Sequence, residues 1–253
     1  MKLLSYNHTT YNDIKTTAFS MHTHNHYELI LFKKGNASHV VEDRKYKLNK
    51  NDFIIIRPAT YHFIQIEDKC TYERFNILFV PDPTEQSLVE KVSNKIEVIN
   101  ISSNPIALEI FSKLDYYEQT LEKQDFEHLC TILITELFYN LSVSKEVASS
   151  HTHISATLRI ALDYINQHLT SIENLEEVCN ALYITPSYLF RLFKNELKTS
   201  PKKYLLEKRL IMAQNMLIMG RKPTKVYEDC GFNDYTSFYK NYIKLFGHSP
   251  SKE

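Results

Sequence analysis

The chain has 253 residues, of which 43% are hydrophobic and 24% charged, with 30 basic and 30 acidic side chains and no formal net charge. That length accommodates two ordinary domains, each with its own core. The strongest apolar run, "FIII" at Phe53–Ile56, is far too short to span a bilayer, and no signal segment is recognisable, so the expectation is a soluble cytoplasmic protein.

From Met21 the pattern is one of short strands. "MHTHNHYE", Met21 to Glu28, places His22, His24, His26 and Glu28 at alternate positions, which an extended strand turns to one face. "YELILF", "ASHVVED", "YKLN", "DFIIIRP", "HFIQIE" and "RFNILFV" follow, divided by turn residues such as Gly35, Asn49–Asp52 and Pro58. Strands this short and close predict a small β-barrel or sandwich. The four cysteines, Cys70, Cys130, Cys179 and Cys230, are scattered without a CxxC pair. They read as small core residues in a reducing compartment, not as a disulfide framework or a structural zinc site.

The period becomes helical at Ile106. Segments 106–121 and 125–141 carry apolar stripes (Ile110, Leu114, Tyr117, Leu121; Leu129, Leu133, Leu137, Leu141) suited to a hairpin that covers the barrel or meets a second subunit. "SVSKEVASSHTHIS", Ser142–Ser155, loses periodicity and reads as an interdomain linker. The predicted division is therefore 1–141, 142–155 and 156–253. Charge divides near the same place: residues 1–154 hold 16 basic and 20 acidic side chains, net −4, and residues 155–253 hold 14 and 10, net +4. A modestly basic C-terminal part attracts phosphate, although a solvated charged surface has the same composition.

Beyond Ser155 every segment reads as helix. A first helix, Ala156 to His168, turns Leu158, Leu162, Ile165 and Leu169 to one side. Asn174 and Glu177 form a capping box opening "LEEVCNAL", and Thr185–Pro186 and Ser200–Pro201 each pair an N-cap with proline at the first helical position. The long helix after Ser200 buries Leu206, Leu210, Ala213 and Leu217 and stops at Gly220. A short helix from Pro223 and a last one in "DYTSFYKNYIKLF" complete the series. The four glycines, Gly35, Gly220, Gly231 and Gly247, each mark a special backbone position.

Within this half the chain repeats itself. "LEEVCNALYITPSYLFRLFK" and "PTKVYEDCGFNDYTSFYKNYIK" share a short helix, a tight turn ending in an apolar residue (Ile184, Phe232), a polar N-cap (Thr185, Asn233) and a second helix. Val178 matches Val226, and after one inserted residue Leu189 matches Phe238. Each unit reads as a helix-turn-helix. Two of them on a stiff helix can reach successive major grooves on one face of DNA, about 34 Å apart.

Through "SYLFRLFK", "SPKKYLLEKRLIMAQNML" and "CGFNDYTSFYKNYIKLFGHSP", in that order, the C-terminal part resembles the AraC/XylS family of bacterial transcription regulators. Through "HTHNHYELILFKKG", "YKLNKNDFIIIRPATYH" and "YERFNILF", the N-terminal part resembles that family's cupin sensor domain. The resemblance implies an α+β chain: a cupin-like β-barrel with a helical hairpin, then an all-α domain with two helix-turn-helix units. Tyr183 stands where the family usually has glycine, which implies either a left-handed backbone at a bulky residue or a different turn altogether. Pro223, Tyr227 and Ile243 replace the usual isoleucine, alanine and lysine of the second unit.

Ser187, Phe190, Arg191 and Lys194 fall opposite Leu189, Leu192 and Phe193 in the first recognition helix; Tyr235, Thr236, Tyr239, Lys240 and Lys244 hold the matching positions in the second. Arg191 suits a bidentate contact to guanine O6 and N7, Phe190 a thymine methyl and Lys194 a phosphate. Any one of these residues alone reads equally well as solvated helix surface.

His22, His24 and Glu28, with Gly35 beyond them, match the first cupin motif, and Pro58 and His62 match part of the second, which is shortened and lacks its glycine. Such a set can ligate iron, manganese, nickel or zinc. Because the sensor domains retain these residues without catalysis, the expectation is no enzyme and no cofactor: His22, His24, Glu28 and His62 wall an effector pocket, with a divalent metal as the alternative occupant. A metal-dependent cupin enzyme fused to a DNA-binding domain is the alternative function. The resemblance further implies double-stranded promoter DNA, RNA polymerase, a small-molecule effector and a second copy of the chain as partners, none of them at a membrane, and activation of transcription.

Overall fold

The computed structural model describes residues 1–14, 19, 21–144 and 149–253. The chain divides into two compact units: Met1–Phe19 with Asn25–Thr152, and Ser20–His24 with His153–Glu253. The first contains β1 (Lys2–Ile14), β2 (Tyr27–Lys34), β3 (Ala37–Val41), β4 (Arg44–Lys47), β5 (Asp52–Ile56), β6 (His62–Ile66), β7 (Cys70–Val80), α1 (Gln86–Ser93), β8 (Val98–Asn100), α2 (Pro105–Thr120) and α3 (Lys123–Val143). A two-residue strand β9 (Thr152–His153) follows. The second unit contains α4 (Ala156–Gln167), α5 (Leu175–Ala181), α6 (Pro186–Glu196), α7 (Pro201–Ile218), α8 (Pro223–Asp229), α9 (Tyr235–Phe246) and a closing 3-10 turn, Pro250–Lys252.

All six strand segments expected between Tyr27 and Val80 are strands. With β1, β8 and β9 they form a five-stranded sheet ordered β1-β7-β2-β5-β8 and a four-stranded sheet ordered β6-β3-β4-β9. Register follows side-chain chemistry: Leu29 pairs with Ile55 and Ile77, and Ile30 with Ile54 and Asn76. Strand β2 is buried over its first six residues because both of its faces are covered. Leu29, Leu31, Phe53, Ile55, Phe75 and Ile77 face one core, shared with α1 to α3. Ile30, Phe32, Ile54 and Ile56 face a second core, between the sheets, with Val41, Ile64 and Ile66. β-branched and aromatic side chains at period two satisfy both.

Most of both helical stripes is consumed inside this unit, although Leu121 stays exposed. Ile110, Leu114, Leu133, Leu137 and Leu141 are buried in the first core, so of the two uses open to the hairpin, covering the sheet is the one these residues serve. Asn104 caps α2 by accepting from Ala107 N at 3.0 Å. Residues 145–148 of the expected linker lie outside the described residues. Its first two residues extend α3 to Val143, and Thr152 donates its hydroxyl to Lys45 O at 3.4 Å.

Helix ends in the second unit largely follow the cap residues. Ser155, Thr185 and Ser200 each accept from the backbone N–H three residues on, and the Asn174–Glu177 capping box is complete. One cap is displaced: α9 is opened by Asp234, whose carboxylate accepts from Ser237 N at 2.7 Å, and not by Asn233. A formal charge at the helix N-terminus is the stronger partner for exposed N–H groups. Leu210, Ala213 and Leu217 of α7 pack on Val226, Cys230, Phe238 and Tyr242. Cys130, Cys179 and Cys230 are buried and all four thiols are free; burial pushes Cys130 up to about 12 and Cys230 up to about 11, out of the nucleophilic range.

Candidate functional sites

The two helix-turn-helix units superimpose in hydrogen bonding as well as in sequence. In the first, Leu182 N bonds Val178 O, Tyr183 N bonds Asn180 O and Ile184 N bonds Cys179 O. In the second, forty-eight residues on in each case, Cys230 N bonds Val226 O, Gly231 N bonds Glu228 O and Phe232 N bonds Tyr227 O. Tyr183 has φ +55° and Gly231 φ +80°, so both turns pass through a left-handed residue, and of the two alternatives at Tyr183 the strained conformation is the one adopted.

Helices α6 and α9 turn Leu189, Leu192, Phe193, Phe238 and Tyr242 inward. The predicted reading residues occupy the other side. Ser187, Phe190, Arg191, Lys194, Thr236, Tyr239, Lys240 and Lys244 are exposed, Phe190 to 53%. Tyr235 departs from expectation: it is half-buried, with its ring 5.6 Å from Tyr227 and 5.9 Å from Phe238. At the first position of α9 it reaches back onto α8, so its ring serves packing and leaves its edge for recognition. The Arg191 guanidinium lies 5.2 Å from the centre of the Tyr188 ring, one turn back on α6, a contact worth about 0.5–1 kcal/mol at an exposed site. That contact limits the arc Arg191 can sweep.

In the N-terminal unit, Glu28 and His62 come together between the sheets. Glu28 shares its face of β2 with Ile30 and Phe32, and His62 opens β6; both are buried. His62 Nε2 lies 3.0 Å from Glu28 Oε2, and Asn76 of β7 donates to Glu28 Oε1. The other ring nitrogen, Nδ1, lies 3.0 Å from Thr60 O, to which it can only donate. That fixes the tautomer: Nε2 then meets the carboxylate as a bare acceptor unless a proton or a metal cation lies between them. A 3.0 Å separation also suits adjacent ligands of a cation held at about 2.1 Å, and a carbonyl-anchored ring is the usual support of a ligating histidine. His39 of β3, fully buried, places its ring 6.0 Å from that of His62.

The expected strand face of "MHTHNHYE" is not present in that form. Strand β2 begins at Tyr27, and the backbone bends at residues 25–26, so alternation does not carry from Glu28 back to the three histidines. His22 and His24, with rings 5.9 Å apart, nonetheless each offer a ring nitrogen that lies within 4.8 Å of the ligand atoms of Glu28 and His62, so the four residues named from sequence are brought together as a group that could hold a metal ion. His39 and Asn76 were not singled out from sequence. Their signal was period-two alternation, which puts His39 on one face with Ala37 and Val41, and Asn76 with Tyr72 and Arg74.

A helix-turn-helix domain model matches residues 178–253, and an AraC-like ligand binding domain model matches residues 9–135. Among curated relatives, the probable transcriptional regulator LumQ of Photobacterium leiognathi is 32% identical over 91 residues, 36% of this chain and 37% of that protein. The HTH-type transcriptional activator RhaR of Cronobacter sakazakii is 24% identical over 246 residues, 92% of this chain and 85% of that one. The C-terminal domain of AraT, a response regulator from Geobacillus stearothermophilus, aligns at 29% identity over 40% of this chain and 85% of that chain, with a TM-score of 0.38. The chain spans only 37% of the length of the first of these relatives.

Proposed function

We propose that this chain, which belongs to the AraC family of transcriptional regulators, reads promoter DNA through both helix-turn-helix units and activates transcription in response to a small molecule bound by its N-terminal unit. The duplicated turn, with two exposed polar helix faces at matching positions, carries this reading. Arg191 reads guanine and Phe190 a thymine methyl; Ser187, Thr236 and Tyr239 meet base edges, with Tyr235 at the margin; Lys194, Lys240 and Lys244 hold phosphates. Glu28 and His62 form the polar end of the effector pocket, and the sequence motif adds His22 and His24. A bound divalent cation would supply a fixed positive charge for an anionic effector group; the protein's own residues orient it.

The chain is a regulator without catalytic activity, acting in the cytoplasm where promoter and RNA polymerase are found, as a homodimer formed by residues 1–141, with 142–155 joining that part to the DNA-reading part at 156–253. The activator sense is supported by the RhaR relative, which is a transcriptional activator. Genome-wide occupancy with and without candidate metabolites tests the proposal. Discrete promoter peaks whose height or position changes with one metabolite are expected; uniform, salt-sensitive coverage with no peaks refutes it.

A further inference from the structure

We propose that Arg209 is the positioning residue that fixes how the two recognition helices stand to one another, and so sets the spacing of the DNA sites that the protein accepts. The inference rests on the reading that both units touch DNA.

Between the two units runs a cleft of about 790 Å³. Asn174, Glu176 and Pro186 line it from the first unit, Asp234 and Ser237 from the second, and Arg209 from α7, the helix they share. A cleft of this size leaves little packing to hold the units in one relation, and Arg209 supplies what packing does not. Its Nε donates to Leu169 O at 2.8 Å and one terminal nitrogen to Ile172 O at 2.5 Å, both in the loop that leads into α5. The other terminal nitrogen donates to Gly231 O at 2.8 Å, in the turn between α8 and α9.

One planar fork therefore ties a loop of the first unit to the turn of the second. Lysine cannot do this, since its point charge has no fixed plane from which to address three carbonyls. The backbone closes around the same point. A Cβ on Gly231 would lie 2.5 Å from Thr170 O and 3.0 Å from the Arg209 guanidinium carbon, so loop and turn are already in contact at a position that only glycine can occupy. Both tied segments lie within a few residues of the DNA-reading parts: Ile172 precedes the Asn174 cap of α5, and Gly231 precedes the Asp234 cap of α9. A small rotation at the fork becomes a shift of the far recognition helix.

The test uses the full chain. A bipartite site is selected from a random-sequence duplex library, and binding is compared on that site and on versions with one base pair inserted or removed between its halves. Each such change moves the second half by about 3.4 Å and about a tenth of a turn. The wild type is expected to lose roughly tenfold on either altered spacing, because its two contacts are then no longer made together. Arg209→Met is expected to bind the original spacing about tenfold more weakly and to separate the three spacings by only about two- to threefold. A folded Arg209→Met that keeps the full spacing preference, weakened or not, overturns the proposal. If Arg209→Met does not fold, Arg209→Lys is read in the same way, with a flattened spacing profile expected and an unchanged one overturning. Selection of one undivided site by the wild type overturns instead the reading that both units touch DNA.

Discussion

The first helix-turn-helix unit and the second build the same turn from opposite residue choices. At the turn the first has Tyr183 at φ +55° and the second Gly231 at φ +80°; after the recognition helix the first has Lys198 at φ +55° and the second Gly247 at φ +78°. The left-handed backbone is common to all four; at the turn itself, the difference lies in what a side chain would meet. Tyr183 is 96% exposed, and its ring meets solvent. Gly231 faces Thr170 O, where a methyl group has no room. The unit that is wedged against its neighbour needs glycine at its turn, and the unit whose turn is free tolerates tyrosine.

Substitution at Gly231 has the greatest expected consequence. Gly231→Ala combines left-handed strain with a backbone clash and is expected to cost about 2–4 kcal/mol, read as a lower urea midpoint by circular dichroism of the helical unit. A loss below about 1 kcal/mol would mean that the loop at Thr170 yields easily. Next, Arg191→Ala is expected to weaken a selected site by about 1–3 kcal/mol and relax preference at one base pair, whereas Lys240→Ala weakens all sequences alike and reduces the salt slope by about one. Normal binding by the Arg191 variant removes that residue from the reading set. At Gly247 nothing lies within 4 Å of an added Cβ, so Gly247→Ala isolates backbone strain, at about 1 kcal/mol in the same unfolding measurement. The smallest change has the opposite sign: Tyr183→Gly relieves strain but adds freedom to the unfolded chain, for a net gain of about 0.5 kcal/mol. A destabilised Tyr183→Gly would reveal a contact made by the tyrosine ring.

Legibility from sequence followed the range of the forces involved. Caps and turns are local, so Asn174, Thr185 and Ser200 announced their helices, and the repeat announced the paired units. The one misplaced cap, Asn233 for Asp234, lay between two adjacent residues that can both cap. Strand β1 escaped because its polar sequence is mostly exposed and only irregularly alternating, its pairing supplied by β7 some seventy residues away. Helix α1 and strand β8 are too short for their periodicity to stand out. In the barrel interior, Glu28 and His62 were found through a motif, whereas the bend at residues 25–26 has no comparable local signal. His39 and Asn76 depend on strand register, which is a property of pairs of strands and not of any one segment.

Helix α7 has eighteen residues, a rod of roughly 27 Å at 1.5 Å per residue. Each residue added or removed there would advance the second unit by one such step and swing it by about 100°. Loops elsewhere in the chain can lengthen with little penalty, but this helix is both ruler and phase-setter, and a protein descended from this one could vary almost any segment in length before it could vary this one.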